Sequence, residues 1–172
     1  MNILFHTTAA IGLIATLNET SSEEYSNKRK IVLGFIYFAI SVVSHGALDY
    51  IPHCYPINPK IDVIIGAIVI GTLTFLSKPK YRLIVGLTFL GNIFPDIVDL
   101  SPQILNKYLG LSIPINDKIF PWHWEKYSGS IFNEDCKTYT LNHFILVAVI
   151  FAICIMKKNI LKNIFKTQNG SS

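Results

Sequence analysis

The chain has 172 residues, 51% of them apolar and only 15% charged, with a mean hydropathy of +0.42 and a formal net charge of +4. One domain's length at that hydropathy argues against an ordinary water-soluble globule and for a membrane protein. The Lys and Arg residues sit in short clusters between apolar runs, not along one amphipathic stripe, a pattern of membrane topology and not of nucleic-acid binding.

Five apolar windows, at 2–17, 31–48, 61–77, 83–100 and 144–156, predict an all-α integral membrane bundle. Most lie near the short end of the roughly 17–25 residues that cross a bilayer. The expected organisation is a single helical domain over 1–157, with a long outer loop at 101–142 and a basic, polar tail at 158–172. The first window lacks the basic start and small-residue cleavage site of a secretory signal and reads as a retained helix. It is interrupted by His6, Thr7 and Thr8.

The second window ends in Ser44-His45-Gly46-Ala47-Leu48-Asp49-Tyr50-Ile51-Pro52-His53. His45 and Asp49, four apart, share one helix face. Pro52 must break the last turn, which lets His53 fold back toward that face. The fourth window ends in Pro95-Asp96-Ile97-Val98-Asp99, where the proline bends the helix and Asp96 and Asp99 supply a second acidic pair.

In the outer loop, 104–119 is apolar but broken by Gly110 and Pro114, as expected of a short interfacial helix and not a span. The aromatic stretch Phe120-Pro121-Trp122-His123-Trp124-Glu125-Lys126-Tyr127 suits the headgroup level, with both tryptophans as interfacial anchors. His123 and Glu125 are candidate proton donors there. His143 opens the fifth window. Cys154 is a small hydrophobe, whereas Cys54 and Cys136 can pair if their loops face an oxidising compartment.

With five spans, one face of the membrane carries ten basic residues and the other five, which puts the N-terminus outside and the tail in the cytoplasm of a cell (inner) membrane. All five histidines then fall near the outer face. Ionisable groups at membrane depth are costly and mark functional candidates. His6, His45, Asp49, His53, Asp96, Asp99 and His143 are thus candidate ligands for a divalent metal, zinc first, then manganese or iron. Each also has a structural reading: His45 and Asp49 can pair with each other, and Asp96 or Asp99 can serve a helix end.

At His6-Thr7-Thr8-Ala9-Ala10-Ile11-Gly12, at Ser44-His45 through Asp49 and at Pro95-Asp96 through Asp99, the chain resembles the predicted membrane-bound metal-dependent hydrolases, including LexA-regulated inner-membrane members. The resemblance runs through short motifs over most of the chain. It implies a helical membrane domain with a metal-dependent hydrolase activity, distantly similar to zinc-dependent phospholipase C, and carries His6, His45, Asp49, Asp96 and Asp99 over as ligands. The chain departs from the family in lacking Pro-Asp-x-Asp and His-Arg-Gly-x-Thr-His, for which His123 and His143 are loose substitutes. The leading expectation is hydrolysis of a phosphoester or lipid headgroup at the outer face. The alternatives are a structural or interaction protein without catalysis and a cation transporter.

Overall fold

The computed structural model describes residues 1–17, 26–131 and 136–165. Within them the regular structure is helical: α1 (Ile3–Ala15), α2 (Asn27–Tyr50), α3 (Pro59–Leu76), α4 (Pro79–Asp99), α5 (Ser101–Leu109), α6 (Cys136–Met156) and α7 (Lys158–Phe165). One 3-10 turn, Pro121–His123, interrupts the outer loop. The helical bundle expected from the apolar windows is present.

Four helices, α2, α3, α4 and α6, are long and apolar enough to cross a membrane. Their outward faces carry large apolar side chains such as Phe35, Val43, Phe75 and Phe144, each more than 60% exposed, as a lipid-facing surface requires. The first window forms a helix of only 13 residues, about 20 Å long, against the roughly 30 Å of a hydrocarbon layer. It is the buried centre of the bundle, with Ala10, Ile14 and Ala15 fully enclosed.

The chain's own polar groups set where α1 begins. Asp62, in the first turn of α3, accepts hydrogen bonds from the backbone N–H groups of Ile3 (2.7 Å) and Leu4 (3.0 Å), two of the donors a helix start leaves unpaired. Asn58 caps α3 by accepting from Lys60 N at 3.0 Å, with Pro59 in the first turn. The amino group of Met1 lies 2.6 Å from Asp49 at the far end of α2, so α1 runs antiparallel to α2.

The other end of α1 closes on an apolar cluster of Ile14, Leu17, Tyr81, Ile84, Val85, Phe89 and Ile164. Ile164 belongs to α7, so residues 158–165, expected to be tail, form a helix packed under the bundle. The helix of the fifth window, α6, starts at Cys136, eight residues before that window, and Thr140 Oγ1 donates to Cys136 O at 2.9 Å in its first turn. Of the stretch 104–119, expected to form a short interfacial helix, only the start is helical: α5 ends at Leu109, because Gly110 adopts the left-handed conformation (φ 64°) that stops it.

Helices α2 and α4 approach most closely at Gly91. A Cβ there would collide with the carbonyl oxygen of Phe38 and lie 2.9 Å from its Cα, so only glycine permits the spacing. Two turns beyond Phe38 along α2 stands His45, and one and a half turns beyond Gly91 along α4 stands Asp96.

Candidate metal centre

The bundle is apolar at one end and polar at the other, the end that bears the loop between α4 and α6. His6, His45 and His53 are fully buried there and Asp49 is 3% exposed, a combination that needs mutual compensation. Single ligand atoms of His45, Asp49, Asp96 and His123 all lie within 4.8 Å of one another. His45 Nε2 is 3.1 Å from Asp49 Oδ2 and 3.6 Å from Asp96 Oδ1. His123 Nε2 is 3.2 Å from each of the same two oxygens.

Both imidazoles are oriented from behind. His45 Nδ1 donates to the backbone carbonyl of Asn92 at 2.7 Å, beside Pro95, which has no N–H to give its own turn. His123 Nδ1 donates to Asp99 Oδ2 at 2.8 Å. With both Nδ1 protons so committed, both Nε2 atoms can turn lone pairs inward, 3.4 Å apart.

His123 reaches the group because the outer loop is strapped onto the bundle. Asp99 also accepts from the N–H groups of Ile119 (2.9 Å) and Phe120 (3.0 Å), which fixes the turn before His123. Trp122 lies against Gly46, where a Cβ would come within 2.6 Å of the indole, so this tryptophan clamps the loop to α2. That differs from the interfacial role expected of it; Trp124, 45% exposed, keeps a surface position. Further along, Gly129 N donates to Asp49 O (2.7 Å) and His53 N to Gly129 O (2.8 Å). A Cys54–Cys136 disulfide ties the segment after α2 to the start of α6.

The remaining candidates divide. His6 stacks on His45, with centroids 3.9 Å apart, and its Nε2 lies 3.2 Å from Asp49 Oδ1, off the line of a hydrogen bond. His53 does turn back after Pro52, but its Nε2 stays 3.9 Å from Asp49 Oδ1, with Tyr55 and Ser130 hydroxyls at 3.3 Å. Asp99 stands behind His123, both carboxylate oxygens engaged. His143 is apart from the group: its Nε2 donates to Cys54 O at 2.9 Å, and its ring stacks on Phe5. Glu125 lies on the wall of the adjoining cavity, and His123, expected to be a proton donor, is instead one of the four converging groups.

That cavity, about 700 Å³, is lined by Asp49, Asp96 and His123 on one side and by Tyr55, Lys118, Glu125, Ser128 and Ser130 around them. His45 does not line it, so the group has a closed back and an open front. Burial opposes charge on His123, but its bonds to Asp49, Asp96 and Asp99 outweigh burial and hold its pKa up at about 9. Burial, helped by the amino group of Met1, pushes His53 down to about 4, so its ring is neutral at pH 7. Burial likewise raises the Tyr55 phenol to about 12, keeping it a hydrogen-bond donor.

Sequence reasoning missed the carbonyl of Asn92, which orients His45; it is a main-chain group that no residue pattern signals. It also missed Lys118, which donates to His123 O at 2.8 Å and lines the cavity. No family model matches the chain, nor does any curated protein or solved structure, so these residues and their geometry are what bears on its function.

Proposed function

We propose that this protein is a membrane-bound, metal-dependent phosphoesterase whose centre is His45, Asp49, Asp96 and His123. The observation that carries the reading is the convergence of two oriented imidazoles and two carboxylates beside an open cavity. Two nitrogens and two oxygens suit zinc, with manganese or iron next. Such an ion lowers the pKa of a bound water and neutralises charge on a phosphate oxygen.

The chain's own residues supply the rest. Asp99 and the Asn92 carbonyl hold the two histidines in the ligating tautomer. Lys118 brings positive charge to the cavity wall where phosphate oxygens would lie, and Glu125 on the same wall would serve the leaving oxygen. The buried apolar cluster beneath the site supports one-sided chemistry over cation transport, since Ile14, Ile84, Val85 and Phe89 offer no polar path inward. The site faces outward across the inner membrane, with the tail cytoplasmic, a reading supported by the basic-residue asymmetry and by a disulfide on the site's own face.

Purified protein is expected to retain about one equivalent of zinc or manganese per chain, and the variant with both His45→Ala and Asp49→Ala to retain none. Hydrolysis of phosphate esters should follow metal content across both proteins. Undiminished turnover by metal-free protein would overturn the proposal.

A further inference from the structure

Beside the polar cavity runs a second concavity of about 370 Å³, between α3 and the stretch from α4 into α5. One wall is the α3 stripe Pro59, Val63, Ala67 and Ile70, and the other includes Ile97 and Ile104. From 59 to 70 the groove descends about 16 Å along α3, into the depth that the spans occupy. It is continuous with the polar cavity, because Met1, Tyr55, Pro59, Asp96 and Leu100 line both. Asp96 stands at the junction and is one of the four converging groups.

We infer that the groove holds an acyl chain of a membrane phospholipid whose phosphate lies in the polar cavity, and that this lipid enters sideways from the bilayer. The inference rests on the phosphoesterase reading and names its substrate class. Three features argue for this occupant. The groove is apolar at membrane depth, the cavity above it carries Lys118 for an anionic headgroup, and the two join at a candidate ligand. A lipid arriving laterally keeps its chain in apolar surroundings throughout, so only the headgroup exchanges its environment on binding. A water-soluble phosphoester would use the cavity and leave the groove idle.

The test uses full-length protein in vesicles of phosphatidylglycerol containing a trace of phosphatidylglycerol with a diazirine on one acyl chain. Photocross-links are mapped by mass spectrometry, and hydrolysis of phosphatidylglycerol is followed beside that of bis(p-nitrophenyl) phosphate. Ala67→Trp fills the groove from an exposed position, so the core is undisturbed. The wild type is expected to cross-link within 59–70 and 93–105, and Ala67→Trp to lose at least about tenfold of both those cross-links and lipid hydrolysis. Metal content and hydrolysis of the small diester should stay unchanged. Cross-links spread evenly over the lipid-facing helices and indifferent to Ala67→Trp would overturn the lipid groove. Groove-specific cross-links without turnover of either ester would instead uphold the groove and remove the phosphoesterase reading.

Discussion

Replacing Gly91 by alanine tests whether the spacing of α2 and α4 sets the geometry of the proposed metal centre. A Cβ at 91 would stand 2.9 Å from Phe38 Cα, whereas ordinary contact begins at 3.4 Å, so the helices must part by at least about 0.5 Å there. His45 and Asp49 ride on α2 and Asp96 on α4, so the same displacement reaches the donors. Metal coordination tolerates about 0.2 Å, so Gly91→Ala should weaken metal binding by about tenfold or more, alongside an overpacking cost of about 1–3 kcal/mol. The assay is retention of zinc against a graded chelator, with thermal melting measured in parallel. Gly71→Ala is the control, since a Cβ there meets nothing within 4 Å. A Gly91→Ala protein that melts early but binds zinc as tightly as the wild type would refute the link between helix spacing and donor geometry.

Asp99→Asn replaces the acceptor behind His123 by an amide that cannot serve all three donors, and metal affinity should fall about 10- to 100-fold in the same chelator competition. The proton on His123 must leave when metal binds, so apparent zinc affinity should rise about tenfold per pH unit from 6.5 to 9 and then level; a flat titration would count against His123 as a ligand. In metal-free protein the sign reverses. The folded pKa of about 9 exceeds the unfolded 6.5, so the stabilisation is complete below pH 6.5 and is lost as pH rises through 9, which thermal melts at pH 6 and pH 10 would reveal. Denatured, unreduced protein should expose one reactive thiol, Cys154, and three after reduction; three before reduction would contradict the outward placement of the strap.

How much of this was legible follows from how local each signal is. The i, i+4 pair His45 and Asp49 and the chain reversal at Pro52 are properties of one helix end and could be read directly. Asp96 and Asp99 were legible as a pair, but not their division of labour. Three residues apart, they share one helix face and meet the two nitrogens of the same His123 ring, and only the docked loop decides that Asp99 faces backbone donors while Asp96 faces the cavity. His123 is 78 residues from His45, and its place depends on the Gly46–Trp122 contact and the Cys54–Cys136 tie, neither of which periodicity encodes. His143 shares the outer end, yet its helix turns it toward Cys54. The tail's helix was missed although Ile160, Leu161, Ile164 and Phe165 recur at helical spacing between its lysines, and the burial of Ile164 at the apolar cluster makes it part of the bundle.

The short central helix has a further consequence. Too brief to cross lipid alone and carrying a buried histidine, α1 has no stable berth until the longer helices surround it. Its socket and the cluster of His45, Asp49, Asp96 and His123 are formed by the same neighbours, α2 and α4, so seating the plug and gathering those four side chains are one event in folding.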